Sequence, residues 1–404
     1  MLMFDATRAF YSAAALAQFA IKNPFDIEHG ARTLAPSIPV PISLSPPIHM
    51  VPSGSPPGLP ALSVVLLLAG AMIAISDRTP SMAGQPTALR AAPAPILIQA
   101  QTQSDRSAAE RRRKLGAVRN WGYWLSSFEV EGLAAAPHDL MVIDSEVSAN
   151  RSFERERTPA EMARMKRRPD GSARILLAYL SIGEAERYRP YWQPEWYDAA
   201  KKPAWLGQEN RRWAGNFAVQ YWHPEWQQLI FGAAESYLDR IMAQGFDGVY
   251  LDRADAFFQW KKLQPSARTD MATFIARLSD HARKRNPQFL IIMQNAEELL
   301  EDAPVLHAID GIAKEDLLYG VRRAEEANKP DDVAWSVELL QMAQKAGRKV
   351  LVVEYLKDPE KMAAAANRLL EEGFVPYFAP RRLHCLNPPA VPTESGALPE
   401  HPCR

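Results

Sequence analysis

From about Val118 onward, the chain alternates short apolar runs with amphipathic stretches of helical length. Three of these helical stretches end in glycine, the usual residue directly after a helix. Such alternation is typical of repeated β-α units, whose strands pair in parallel. The eight apolar runs are Asn120 to Leu125, Asp139 to Ser145, Arg174 to Gly183, Phe246 to Asp252, Gln288 to Asn295, Ile309 to Glu315, Lys349 to Tyr355 and Phe374 to Phe378.

Eight strands with a helix after most of them predict a (β/α)8 barrel, or TIM barrel, over residues 116–382. The alternative is a doubly wound open sheet. It is disfavoured because no glycine-rich dinucleotide or phosphate loop follows any of the runs. The nearest stretch, "SIGEAE" from Ser181, lacks the required glycines.

Residues 1–115 are rich in proline, alanine and serine and show no sustained period outside one apolar run. This composition predicts a largely unstructured leader and linker before the barrel. The charged cluster "AAERRRKLG" at its end is interpreted as a solvated approach to the first strand. Residues 383–404 are expected to form a C-terminal tail.

The apolar run at residues 61–75 is shorter than the roughly 20 residues that cross a bilayer, but it suits the core of a signal peptide. It predicts a secreted or periplasmic protein. Its distance from Met1 is explained if translation starts later, for example at Met50, or if the segment is uncleaved and tethers the chain to the membrane. Against both, no Lys or Arg lies between Met50 and Ala61. The alternative is a buried apolar segment in an unstructured leader.

Composition removes several classes of function. The chain has 47 Lys and Arg residues against 47 Asp and Glu residues, so it lacks the basic surplus of a general nucleic-acid binder. Its two cysteines, Cys385 and Cys403, show no metal-site spacing and are compatible with either a disulfide or two free thiols. No nucleic-acid partner, metal site or cofactor is predicted.

The predicted strands finish in polar residues, at the end of the barrel where the active sites of this fold lie. Acids, amides and hydroxyls recur at six of the eight ends. They are Asp144 and Glu146, Ser181 and Glu184, Asp252 and Asp255, Gln294 and Asn295, Glu315 and Asp316, and Glu354 and Tyr355.

Strand alternation indicates which of these side chains face the barrel axis. In "DGVYLD", Val249 and Leu251 share the face that meets the helices, so Asp252 faces inward. The same count in "DGIAKE" turns Glu315 inward and Lys314 toward the helix layer, where a lysine needs a partner or must extend to solvent. Two carboxylates are therefore expected to converge at the barrel mouth.

Acidic residues at strand ends also serve as helix N-caps. Asp255 and Asp316, just beyond their strands, fit that interpretation. A cap does not require an inward position, so Asp252 and Glu315 fit chemistry better. Paired carboxylates across a barrel mouth are characteristic of glycoside hydrolysis, in which one protonates the leaving oxygen and the other attacks carbon or activates water. This reaction needs no metal or cofactor.

Aromatic residues favour a sugar ligand. The segment from Tyr188 to Trp226 holds six of the ten tryptophans, in the long connection expected after the third strand. Long loops over a barrel mouth shape the substrate cleft, and flat rings stack on the apolar faces of sugars. The alternative is that these rings pack the loop against the barrel.

Several motifs resemble the endo-α-1,4-polygalactosaminidase family, glycoside hydrolase family 114, and its relatives among extracellular barrel hydrolases. They are "WGYWL", "LAYLSIGEAERYRPYW", "GFDGVYLDRAD", "QNAEEL", "KEDL" and "FVPYFAPR", which together span roughly Asn120 to Arg382. The resemblance implies a barrel that cleaves galactosamine-containing exopolysaccharide internally. It places the nucleophile on Asp252 and the acid/base on Glu315.

Many barrel glycosidases place the second carboxylate on strand seven, so Glu354 is the alternative acid/base. The run "KVLVVEY" allows either Glu354 or Val353 and Tyr355 to face inward. The resemblance also suggests substrate contacts on strands three and five, and the remaining strand-end side chains join them. The candidate substrate contacts are Trp121, Tyr123, Asp144, Tyr179, Ser181, Glu184, Asp255, Asn295, Glu354 and Tyr355.

Unacetylated galactosamine is cationic, so acids at the rim could complement it. Alternatively, these acids balance nearby arginines such as Arg187 and Arg253. The rim acids are Asp144, Glu146, Glu184 and Asp255. Two further functions fit the same features: a non-catalytic carbohydrate-binding barrel that serves polymer synthesis or export, and a glycosidase for another polysaccharide.

Overall fold

The computed structural model describes residues 95–126, 128–149, 152–391 and 398–403. The predicted leader up to residue 94, with its apolar run at 61–75, lies outside the described residues. Within the described ranges, no helix combines the length and the apolar character that crossing a membrane requires.

Eight parallel strands follow one another around a barrel in sequence order. At the seam between the first and the last strand, the Trp121 indole N–H donates to the carbonyl of Val375 at 3.0 Å. The predicted (β/α)8 barrel is confirmed, and the open-sheet alternative is wrong. The strands are β1 (Trp121–Trp124), β2 (Leu140–Ile143), β3 (Ile175–Ser181), β4 (Gly248–Asp252), β5 (Leu290–Gln294), β6 (Gly311–Glu315), β7 (Lys349–Glu354) and β8 (Val375–Phe378).

Helices surround this barrel, and most stand between consecutive strands. In the part of the chain that the structure describes, they are α1 (Pro95–Gly116), α2 (Val130–Ala135), α3 (Pro159–Met165), α4 (Pro224–Ile230), α5 (Tyr237–Ala243), α6 (Phe257–Trp260), α7 (Ala267–Arg285), α8 (Ala303–Ala308), α9 (Pro330–Lys345) and α10 (Pro359–Glu371).

Two small antiparallel sheets extend the loops at the carboxyl ends of the strands. A hairpin of Glu146–Ala149 and Ser152–Glu156 follows β2. The β3-loop sheet, which follows β3, consists of Glu184–Glu186, Asn216–Val219 and Leu206–Glu209.

Two separate buried clusters confirm the predicted strand alternation. Tyr250 and Ala313 belong to the cluster inside the barrel, whereas Val249, Leu251 and Ile312 belong to the cluster between strands and helices. Asp252 and Glu315 each lie two residues beyond an inward-facing position, so they share the inner face. Lys314 points outward and is buried, and its ammonium group pairs with the Glu297 carboxylate at 3.1 Å.

The charged cluster before β1 is not a solvated linker. It lies in α1, where Arg111 is 6% exposed and its Nε donates to Asp310 at 2.8 Å. Lys114 donates to Asp247 at 2.8 Å. Since these aspartates directly precede β6 and β4, α1 is fixed at the amino-terminal end of the barrel. Its ion pairs require that this cluster fold with the barrel.

The tail after β8 packs back on the barrel. Cys385 and Cys403 form a disulfide, which decides between the two states that the sequence left open. The Asn387 side-chain amide donates to the carbonyls of Phe378 and Cys403, both at 3.1 Å. These contacts fix the tail to the end of β8.

Candidate active site

A cleft of about 2180 Å³ opens at the carboxyl ends of the strands. Most of the predicted site residues line it, from every strand of the barrel between β1 and β7. They are Tyr123, Asp144, Tyr179, Glu184, Asp252, Asp255, Asn295, Glu315 and Tyr355.

Asp252 ends β4 with both carboxylate oxygens engaged. The Tyr179 hydroxyl donates to Oδ2 at 2.6 Å, and the backbone N–H of Arg253 donates to Oδ1 at 2.7 Å. Burial, together with the negative charge of Glu315, raises the pKa of Asp252 to about 7. This effect of Glu315 on Asp252 means that the two carboxylates lie within electrostatic reach of each other.

The end of β4 is held by a close backbone approach from β3. The N–H of Ile182 donates to the Asp252 carbonyl at 3.0 Å. A Cβ atom on Gly183 would lie 2.4 Å from the Arg253 carbonyl oxygen, so only glycine fits there. The glycine of "SIGEAE" therefore positions Asp252 instead of forming a phosphate loop.

Glu315 ends β6 and is held on both oxygens. The Asn295 side-chain amide donates to Oε2 at 3.0 Å, and the Tyr355 hydroxyl donates to Oε1. Asn295 also accepts from the backbone N–H of Glu315 at 3.0 Å. Donors from β5 and β7 thus orient this carboxylate toward the cleft.

Asp316 does not cap a helix as predicted. It has a positive φ of 53°, and its carboxylate accepts twice from Arg381, at 2.8 and 3.0 Å. The Arg381 guanidinium lies 4.2 Å from the ring centroid of Tyr355. Asp316 and Arg381 thereby support the tyrosine that binds Glu315.

Glu354 lies away from the cleft, which corrects its inclusion among substrate contacts. It is fully buried, and its carboxylate accepts from the backbone N–H groups of Leu318 at 2.7 Å and Tyr319 at 3.3 Å. Burial, reinforced by Asp316, raises its pKa to about 8. Glu354 therefore fixes the loop after β6, while its neighbour Tyr355 faces the site.

Two other predicted contacts also belong to the barrel interior. Trp121 is fully buried, and its ring stacks on Tyr123 with centroids 6.1 Å apart. Ser181 is 2% exposed and pairs with Asp252 across the β3–β4 ladder. Neither lines the cleft: Trp121 begins β1, and Ser181 ends β3 but is covered by its neighbours.

A buried arginine joins three acids beside Asp252. The Arg189 guanidinium contacts Asp144 at 2.6 Å, Glu186 at 2.6 Å and Glu146. Burial raises the pKa of Glu146 to about 7 and also raises the pKa of Glu186. Sequence reasoning missed Glu186 and Arg189, although Glu186 stands two residues after Glu184 in "GEAER" and thus shares its strand face.

Arg253, directly after β4, links the two remaining rim acids, one after β3 and one after β4. Its guanidinium lies 3.3 Å from Glu184 and 3.7 Å from Asp255. Asp255 lies inside a single 3-10 turn, and the N-cap residues of that turn and of α6 are Arg253 and Ala256. It is a cleft residue and not a cap.

Most of the tryptophans after β3 pack against one another and not against the cleft. Trp226 is fully buried, and its indole N–H donates to the carbonyl of Ile182 at 3.1 Å. Trp192, Trp196 and Trp205 form further ring contacts in the same segment. The packing interpretation is therefore correct for these rings.

Trp213 is the exception, since it is 53% exposed and lines the cleft. Trp260 from α6 and Trp335 from α9 also line it, outside the segment that the sequence highlighted. The described residues contain no group of three or more His, Cys, Asp or Glu side chains arranged to hold a metal ion.

An eight-stranded barrel with carboxylates converging in a cleft at its strand ends has the architecture of a barrel glycoside hydrolase. The chain belongs to glycoside-hydrolase family GH114, whose model it matches over residues 100–391. This membership confirms the family resemblance that the sequence motifs carry.

Relatives occur in distant organisms. An uncharacterized protein of Deinococcus radiodurans is 37% identical over 295 residues, which cover 72% of this chain and 88% of the relative. An uncharacterized protein of Methanocaldococcus jannaschii is 38% identical over 276 residues, covering 64% and 75%. The glycoside hydrolase domain of PelA from Pseudomonas aeruginosa superposes with a TM-score of 0.50 at 19% identity, over 67% of this chain and 97% of that domain, which supports the fold.

Proposed function

We propose that this glycoside hydrolase cleaves α-linked galactosamine-containing polysaccharide at internal bonds, with Asp252 as nucleophile and Glu315 as acid/base. The observation that carries the proposal is the convergence of these two carboxyl groups, from β4 and β6, on one open cleft. The open cleft suits a polymer that passes across the site, because neither chain end has to enter it.

The protonation of the pair suits this chemistry. Burial and the charge of Glu315 raise the pKa of Asp252 to about 7, so the pair holds one proton below about pH 7. The proposed reaction proceeds from the form in which that proton is on Glu315 and Asp252 is the anion. In the proposed reaction Asp252 attacks the anomeric carbon while Glu315 gives its proton to the leaving oxygen. Glu315 then takes a proton from water, whose oxygen attacks the same carbon and releases Asp252.

Galactosamine is proposed from the family resemblance, and the charge around Asp252 supports it. Asp255 and Glu315 act on the charge of Asp252, and Arg253 is the cation beside them. Since this group of acids exceeds its guanidinium partner in charge, it favours a cationic substrate over an anionic one. An unacetylated galactosamine unit carries such a charge on its ammonium group.

Export is proposed with the same function. The disulfide between Cys385 and Cys403 supports an oxidising compartment, since such bonds persist in secreted and periplasmic proteins. Cell fractionation followed by N-terminal sequencing of the mature protein tests this proposal. A cytosolic protein with reduced cysteines would contradict it.

A polymer comparison tests the activity. The full chain is incubated with unacetylated galactosamine polymer, N-acetylated galactosamine polymer and glucosamine polymer, and new reducing ends and product sizes are measured. Internal cleavage predicts a rapid fall in polymer size with galactosamine polymers only. Binding without new reducing ends would favour a non-catalytic barrel, whereas cleavage of glucosamine polymer would indicate another substrate.

A further inference from the structure

The Tyr179 hydroxyl lies between two carboxylates. It is 2.6 Å from Oδ2 of Asp252 and 3.4 Å from Oε1 of Glu186. A phenol has one proton to donate, so it cannot serve both acceptors fully at the same time. Since Asp252 is the nearer acceptor, the Tyr179 hydroxyl donates mainly to Asp252 in the structure.

Glu186 is a fixed second acceptor. It is 1% exposed, and its carboxylate accepts from the Tyr188 hydroxyl at 2.6 Å and from Arg189 Nε at 2.6 Å. Its backbone N–H donates to the Tyr191 hydroxyl at 3.0 Å. Because these contacts hold Glu186 in place, the choice between acceptors depends on rotation of the Tyr179 hydroxyl alone.

We propose that Tyr179 is a positioning residue whose single hydroxyl proton alternates between Asp252 and Glu186 as the charge on Asp252 changes. This inference rests on the proposed role of Asp252 as nucleophile. While Asp252 is an anion, it is the nearer and stronger acceptor. Once Asp252 is bonded to the sugar it is neutral, and Glu186 becomes the stronger acceptor because hydrogen bonds to ionised groups are about twice as strong.

The alternation stabilises Asp252 as an anion before attack and after release, but not in between. Of the tyrosines among the described residues, Tyr179 is the one whose hydroxyl contacts both Asp252 and a second carboxylate. Several other groups also act on the charge of Asp252. These groups are Tyr123, Tyr250, Arg253, Asp255 and Glu315.

The test measures the pKa of Asp252 by carboxyl carbon NMR, with the signal assigned by its loss in Asp252→Asn. All variants carry Glu315→Gln, so that Asp252 is the only carboxyl of the pair that titrates. Glu186→Gln makes Asp252 the only carboxylate that accepts from the Tyr179 hydroxyl. It is expected to lower the pKa of Asp252 by about 0.5 to 1 unit. Tyr179→Phe is expected to raise it by a similar amount.

A double variant separates the hydroxyl from direct charge effects. In the Tyr179→Phe background, Glu186→Gln is expected to leave the pKa of Asp252 unchanged. Glu146→Gln is the matched control, because it removes another acid from the same guanidinium without a contact to Tyr179. A shift by Glu186→Gln that persists without the Tyr179 hydroxyl would overturn the proposal.

Tyr188→Phe provides an independent variant with a nearly unchanged shape. It removes one donor from Glu186, which then draws the Tyr179 hydroxyl more strongly, so the pKa of Asp252 should rise. No change, or a fall, would also overturn the proposal. The NMR measurements need no substrate, so their failure is distinguishable from failure of the polymer assay.

Discussion

Asn295 and Glu315 exchange two hydrogen bonds. The Asn295 amide donates to the Glu315 carboxylate and its oxygen accepts from the Glu315 backbone, each at 3.0 Å. Asn295 has a positive φ of 55°, a conformation that asparagine adopts more readily than most residues. One side chain at the end of β5 thus fixes both the backbone and the carboxylate at the end of β6.

Loss of this pair is expected to reduce turnover more than substrate binding. Asn295→Gly keeps the positive φ but removes both hydrogen bonds, and it should lower kcat by about 10- to 100-fold because the acid/base is no longer held in position. Asn295→Ala adds backbone strain and should also lower the free energy of unfolding by about 1 to 3 kcal/mol. Kinetics and chemical denaturation check both values, and a wild-type kcat in Asn295→Gly would contradict the role of Asn295.

Glu315 and Glu354 are expected to respond differently to the same substitution. Glu354→Gln keeps one oxygen for the shorter hydrogen bond, from Leu318, and loses only the longer one, from Tyr319. Since Glu354 lies away from the cleft, kcat should stay within a few-fold of the wild type. Glu315→Gln should reduce kcat by several orders of magnitude. The reverse result would move the acid/base to β7.

Glu354 should also make stability depend on pH. Its pKa of about 8 in the folded protein exceeds the value of 4.5 for a free glutamate, so the wild type loses stability as pH rises between these values. Glu354→Gln does not titrate, so the difference between its free energy of unfolding and that of the wild type should shift in favour of the variant as pH rises over that range. Urea titrations at several pH values check this, and a constant difference would show that Glu354 ionises normally.

The pKa of Asp252 should depend on Glu315. Its value of about 7 is raised by burial and then by the Glu315 charge, so Glu315→Gln should lower it while burial keeps it above the free value of 3.8. The wild type should show activity that falls as pH rises through about 7, where the pair loses its last proton. Carboxyl NMR and pH-rate profiles measure these effects, and an unchanged pKa in Glu315→Gln would show that the carboxylates are not coupled.

Gly183 should not tolerate a side chain. Alanine there would place Cβ 2.4 Å from the Arg253 carbonyl oxygen and displace the end of β4, lowering the free energy of unfolding by about 1 to 3 kcal/mol and reducing kcat. Gly116→Ala is the control, since nothing lies within 4 Å of its added Cβ. Equal stability of the two variants would contradict the close approach of β3 and β4.

Local sequence pattern was sufficient for the barrel and for the inward position of Asp252 and Glu315. In β4 both outward residues, Val249 and Leu251, are apolar, and in β6 Ile312 marks the outward face although Lys314 shares it. Each strand also begins at an Asp-Gly pair, so the inward residues follow from the sequence. The β7 run is apolar on both faces, so its sequence does not show which residues face the barrel axis. Its register depends on Leu318 and Tyr319, which approach Glu354 from more than 30 residues away in sequence.

Long-range pairing also explains the other differences. Arg111 appeared solvated because its partner, Asp310, lies 199 residues further along the chain. The tryptophans after β3 fit either a sugar platform or a packed loop, and only the fold shows that Trp226 meets Ile182. Contacts between loops depend on the assembled barrel, whereas strand faces depend on neighbours in sequence.

The most direct test measures the rate at which new reducing ends form from unacetylated galactosamine polymer, using the wild type, Asp252→Asn and Glu315→Gln, with folding verified by circular dichroism. The wild type is expected to generate reducing ends. Each variant is expected to lose several orders of magnitude in rate while remaining folded. A folded Asp252→Asn or Glu315→Gln protein that cleaves the polymer at the wild-type rate would contradict the two-carboxylate account.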